Sequence, residues 1–179
     1  MLVKIENWID RFADLLGYAT GILMILTMIN VFYDSIMRYF FNVGSITMQE
    51  MEWHLFSIVF LFGIAYTLKE DAHVRVDLIY DRLSKKNRAI INIFGTLFFL
   101  IPLSFLIIYG SIPFVHEAFI TNEISGDPGG ITHRWIIKGM IPLAFIFLTV
   151  VALGLIIRNY RVIKAGPHPV LPTHLNEQL

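Results

Sequence analysis

Three groups of residues in this sequence are of the types that do chemistry. His73, with Asp71 and Asp77 around it in "DAHVRVD", offers ligand atoms for a divalent metal. The spacing argues against one: there is no HExxH, no paired His and no Cys in the chain, whereas a zinc site gathers three or four such donors. His54, His116 and His133 form a second group, since two His on different helices at matching depth can ligate a b-type haem. The third group is ionic. Asp34 and Arg38 stand i, i+4, and Glu50 and Glu52 open a later apolar run beside His54. Such groups can form ion pairs or a proton path.

The element that must position all of them is a membrane. Of 179 residues, 56% are apolar and 16% charged, whereas a soluble domain carries about a quarter charged residues. A formal net charge of zero gives no general attraction to nucleic acid, and the lack of Cys excludes disulfide and thiol chemistry. The N-terminus does not read as a cleaved signal peptide, because Lys4 is followed by acids, the apolar run is too long and no small-x-small site follows. Four stretches, about 15–37, 51–68, 89–115 and 136–157, approach or exceed the roughly 20 residues that cross a bilayer as a helix. The expected fold is an all-α integral membrane protein with four transmembrane helices. Its organisation is an amphipathic N-terminal helix over 1–14, a membrane domain over 15–164 and a Pro-rich, disordered cytoplasmic tail over 165–179. Pro102 and Pro142 fall inside the third and fourth spans and predict bends there.

Lys and Arg set the orientation. Eleven lie before span one, between spans two and three, or after span four, and the remaining three are Arg38, Arg134 and Lys138. The positive-inside rule then predicts both termini and the 69–88 connector in the cytoplasm. Two short amphipathic helices are expected to lie in the interface plane on that side. One carries the stripe Ile5, Trp8, Ile9 and Phe12, with Asp10 and Asp14 on the polar face; the other carries Val76, Ile79, Tyr80 and Leu83.

Within this frame the charged residues have competing roles. A lone charge at the centre of a spanning helix costs about 2.5–3.5 kcal/mol. Arg38 can pair with Asp34 on its own helix or with Glu50 or Glu52 across the hairpin, or these groups can reach lipid headgroups. A relay ranks behind both, because no ionisable residue lies deeper in any span. In "SGDPGGITHRWIIKGMIP", Asp127 to Gly130 predicts a turn and Trp135 an interfacial aromatic. Arg134 and Lys138 share a face there, either reaching headgroups or pairing with a neighbouring subunit or an anionic lipid. His73 is best read as ordering the turn that leaves span two.

Together "RYFF" (Arg38–Phe41), "QEMEWH" (Gln49–His54), "HVRVD" (His73–Asp77) and "DPGGITHRWIIKGMIP" (Asp127–Pro142) resemble the small membrane subunit of tripartite ATP-independent periplasmic (TRAP) transporters, also called the Q or small permease subunit. The resemblance runs in matching order from about Leu15 to Ile157. It implies a non-catalytic subunit of the bacterial inner membrane with no cofactor of its own. It also implies a large multi-helix partner holding the sodium and substrate sites, and a periplasmic binding protein that delivers an organic acid. Arg38, Glu50, His73, Arg75 and Asp77 match motif positions, and Glu52, His54, Arg134, Trp135 and Lys138 join them as candidate structural or partner-interface residues. No substrate ligand is expected among them. Close packing against the partner is expected at small residues such as Gly63, Ala65, Gly95 and Gly154. The reading from a different class is a four-helix anchor binding b-type haem in an electron-transfer complex.

Overall fold

The computed structural model describes residues 2–71 and 83–165, all in helices and short connections. Helix α1 (Leu2–Phe41) runs 40 residues without a break. Helix α2 (Ile46–Lys69) starts at Ser45, whose hydroxyl accepts the Met48 N–H and so satisfies one of the free donors of the first turn. Helix α3 (Lys85–Gly95) has the same device at Ser84, which accepts from the Asn87 N–H. A π-helical turn, Thr96–Leu100, joins α3 to α4 (Ile101–Ile120), and the Ile101 N–H bonds the Thr96 carbonyl five residues back. Pro102 enters α4 directly after this turn, so the wider turn sits where proline would otherwise clash. Helix α5 (Trp135–Ala165) closes the chain and contains Pro142. Four helical stretches, with α3 and α4 counted as one, are long and apolar enough to cross a membrane.

The N-terminal segment corrects the expectation of a separate helix over 1–14. No Gly or Pro interrupts residues 2–16, and Ile9, Ala13 and Leu16 continue one buried stripe into the core. The segment is the start of α1, packed on α2 and α5, although Trp8 stays 64% exposed. The second interfacial helix, around Val76 to Tyr80, lies outside the described residues, as does the tail from 166.

Helix α5 is central: it contacts α1, α2, α3 and α4, with α1 and α2 forming a hairpin on one side of it. The core joins Ile9, Ala13 and Leu16 of α1 to Ala65 and Leu68 of α2 and to Leu148, Val151 and Ala152 of α5. It lies towards the end of the bundle that holds Leu2 and Ala165, called here the terminal end; the opposite end is the loop end. Small residues set the approach. A Cβ on Gly154 would come 2.8 Å from Ile9, and one on Gly17 would come 2.6 Å from the Tyr66 ring. Ala65 and Gly154 therefore act inside the bundle and are not free for a partner, while nothing lies within 4 Å of a Cβ on Gly95.

This geometry separates two glycines of one helix. Alanine gains about 1 kcal/mol over glycine in a helix interior, but overpacking a tight contact costs about 1–3 kcal/mol. Gly17→Ala should therefore lower the melting temperature of the purified protein in detergent, because the Tyr66 ring must move. Gly21→Ala, with nothing within 4 Å of its new methyl group, should hold or raise it. Equal effects at the two positions would refute the close approach of α1 and α2.

Most hydroxyls of the spans bond locally. Thr20, Thr27, Ser104, Ser111 and Thr149 each donate to the carbonyl four residues back on their own helix. Asn30 donates to the Met48 carbonyl at 2.9 Å and ties α1 to α2 near the loop end. These bonds satisfy the polar groups where they stand and do not assemble a polar path.

Candidate functional site

The ionisable residues collect at the two ends of the bundle. At the loop end, α4 finishes with Asn122 in the left-handed conformation (φ 45°), and the Glu123 N–H reaches back to the Ala118 carbonyl at 3.0 Å. This left-handed C-terminal cap turns the chain and presents the Glu123 side chain. Glu123 pairs with Lys138 and lies 3.8 Å from Arg134. Arg134 also sits over the Trp53 ring at 5.7 Å, Lys138 over the Phe114 ring at 3.9 Å, and Trp135 meets Phe119 edge to face. The two cations thus have an intramolecular acid, a partner that the sequence reading did not identify. Fifteen residues separate Glu123 from Lys138, and only the capped turn brings them together.

Glu50 organises the loop from the other side. It stands one turn into α2, 5% exposed, and its carboxylate accepts the Ser125 hydroxyl and the Ile131 N–H. The loop folds around that carboxylate. The Ser125 N–H donates to the Ile131 carbonyl at 3.1 Å, the Gly130 N–H to Asp127 at 3.0 Å, and Thr47 Oγ1 to the Gly129 carbonyl at 2.6 Å. Gly129 has φ +85°, and a Cβ on Gly130 would fall 2.4 Å from the Ser125 Cβ and 2.8 Å from Glu50 Oε2. The predicted turn from Asp127 to Gly130 is therefore also a socket for Glu50. Arg38 takes the partner on its own helix, the buried Asp34, and Gln49 accepts from Arg38 Nη1 at 3.2 Å once its amide oxygen faces that group. The alternative bond from Arg38 to Glu50 is not the one formed.

His54 is 9% exposed, with Nδ1 2.6 Å from the Glu50 carbonyl and its ring 4.2 Å from that of Trp53. Its Nε2 is buried without a partner. Glu52 lies partly buried on the wall of a groove between α1 and α2. His73, Arg75 and Asp77 lie outside the described residues. Among the described residues no three His, Asp or Glu side chains group as metal ligands.

The terminal end holds a second set, also unanticipated. Glu6, Asp10 and Asp14 recur every fourth residue and so form one stripe on α1. Glu6 pairs with Arg161, Asp10 with Arg158 at 2.9 Å, and Asp14 with Lys69. Arg158 additionally lies 3.7 Å from Glu6 and donates to the Lys69 carbonyl at 3.3 Å. The stripe clasps α1 to both α2 and α5. Asp10 and Asp14, expected on the polar face of an interfacial helix, face cations of other helices.

The molecule is thus a small helical protein with four apolar stretches of membrane-spanning length, its charged groups gathered into end clasps. Comparison with known proteins gives the family. The sequence matches that of the tripartite ATP-independent periplasmic transporters, DctQ component, over residues 27–162. Two proteins of Haemophilus influenzae, both described as candidate TRAP transporter small permease proteins, are similar to it. One is 33% identical over 110 residues, covering 62% of this chain and 64% of the relative; the other is 27% identical over 154 residues, covering 85% and 93%. The first match thus spans slightly less than two thirds of that relative's length. The chain belongs to the DctQ-component family, a family of transporter components and not of enzymes.

Proposed function

We propose that this chain is the small permease subunit of a TRAP transporter of the bacterial inner membrane, and that it acts as the fixed scaffold of the large membrane subunit. The complex takes up an organic acid, delivered by a periplasmic binding protein, on a sodium gradient held at the large subunit. Both termini lie in the cytoplasm, which agrees with the excess of Lys and Arg on that side. The observation that carries the reading is the family match over residues 27–162. The bundle supports it. A carrier of solute places polar groups near the membrane midplane on broken helices, whereas most span hydroxyls here bond to carbonyls of their own helix and the ion pairs lie at the two ends. A body clasped at both ends resists sliding of one helix on another, as a scaffold for a moving partner requires.

Reconstitution tests this. Vesicles holding this chain and its own large subunit, supplied with the binding protein and a sodium gradient, should accumulate labelled acid from a panel of carboxylates. Vesicles with this chain alone, or with the large subunit alone, should show background uptake. Full uptake by the large subunit without this chain would overturn the scaffold role.

A further inference from the structure

The open groove between α1 and α2 offers about 880 Å3 near the loop end. Met24, Met28, Phe32, Trp53 and Phe56 line it, and Glu52 is the ionisable residue on its wall. Exposed apolar side chains alone identify no partner here, because lipid covers them as well as protein does. The carboxylate is different. Glu52 has neither a hydrogen bond nor an ion pair among the described residues. The bond from Asn30 to the Met48 carbonyl fixes the level of the two helices, and Glu52 lies one turn further in than Met48. At 1.5 Å rise per residue that is about 9 Å along the axis from the start of α2. A carboxylate on an apolar groove wall, with no partner of its own, is matched best by a cation.

Among the described residues the chain does not supply one. At the loop end Arg38 is held by Asp34 and Lys138 by Glu123, and Arg134 lies 3.8 Å from Glu123 and over the Trp53 ring, its Nε buried without a hydrogen bond. A second copy would bring the same three cations, each already beside an acid of its own chain. We propose that the groove receives a transmembrane helix of the large membrane subunit, bearing an arginine or lysine level with Glu52. This rests on the small-permease reading above. Met24, Met28, Phe32 and Ser35 make one stripe along α1, spaced i, i+4, i+8 and i+11. Such a stripe is about 17 Å long, a length that accommodates three turns of an incoming helix. The two methionines adapt their shape to such a ridge.

The test uses the full chain coexpressed with its large subunit. The photoreactive residue p-benzoylphenylalanine replaces Phe32, Phe56 or, as a control, Tyr109, which is 81% exposed on α4. Illumination at Phe32 and Phe56 should give adducts to one helix of the large subunit, within a turn of an Arg or Lys, and Tyr109 should give none to that helix. Glu52→Lys should lower the large subunit recovered with the chain by on the order of tenfold. Changing the located basic residue to Glu should restore it, and Glu52→Gln, which folds with least disturbance, should give an intermediate loss. Adducts only to lipid, or only to a second copy, would overturn the proposal. So would unchanged recovery with Glu52→Lys. If the wild-type chain recovers no large subunit at all, the small-permease reading falls first; if it does and the adducts arise only at Tyr109, that reading stands and the groove assignment falls.

Discussion

Glu50→Ala should release the 123–134 loop from the bundle while leaving the four helices intact. The carboxylate accepts the Ser125 hydroxyl and the Ile131 N–H, and it lies at the start of α2, where the helix dipole favours negative charge. Its removal leaves both donors without an acceptor in a part-buried pocket, which costs more than the bonds themselves contributed. Amide exchange at Ile131, followed by mass spectrometry in nanodiscs, should accelerate by on the order of tenfold or more. Exchange in the middle of α5 should not change. Gly130→Ala reaches the same result by another route, since its methyl group would press on the Ser125 Cβ and Glu50 Oε2. Matching exchange profiles for the two variants would establish that carboxylate and glycine form one lock. Unaltered exchange at Ile131 in Glu50→Ala would show that the turn folds without it.

Much of this architecture was legible in the sequence because lipid imposes a simple constraint. A run of about 20 apolar residues has few options other than a helix. The expected spans accordingly coincide with the cores of α1, α2, α3–α4 and α5, and the helices extend past them at both ends. Ser45 and Ser84 show why the ends were harder to place. Each cap is a local bond, but it competes with turn conformations that the same residue favours. The 1–14 segment was misplaced for a related reason. Its stripe of Ile9 and Phe12 suits a lipid interface and a helix partner equally well, and only the position of Gly154 on α5 decides for the partner.

The ionic sites divide along the same line. Asp34 with Arg38 was among the readable options because both lie on one helix, four residues apart. Glu123 with Lys138, Glu50 with Ser125 and Ile131, and the stripe on α1 with Lys69, Arg158 and Arg161 join residues distant in sequence. Periodicity cannot rank such pairs, although the four-residue spacing of Glu6, Asp10 and Asp14 was itself a signal of one charged face. That face lies ahead of residue 27, where the family match begins, so membership in the family does not point to it either.

The stripe on α1 leads to the second large effect. Arg158→Ala with Arg161→Ala should destabilise the bundle by about 2–3 kcal/mol, taking the 3–5 kcal/mol of a broken buried pair and discounting it for solvent at the partly exposed guanidinium groups. Glu6 is 8% exposed, and the double substitution removes both of its cations, leaving a carboxylate against Ile9 and the α5 surface. Arg161→Ala alone should cost less than about 1 kcal/mol, because Arg158 Nε lies 3.7 Å from the same carboxylate. The double loss should therefore exceed the sum of the single losses, as expected for groups sharing one partner. Melting followed by tryptophan fluorescence measures it, since Trp8 lies two residues from Glu6 and stacks on Phe12 of the α1–α5 contact. Exchanging the charges, Asp10→Arg with Arg158→Asp, should recover part of what Arg158→Asp alone removes. Additive single and double losses would mean that the acids are individually solvated and that apolar packing alone holds α1 to α5. A loss beyond additivity would show that the charges at this end act as one clasp.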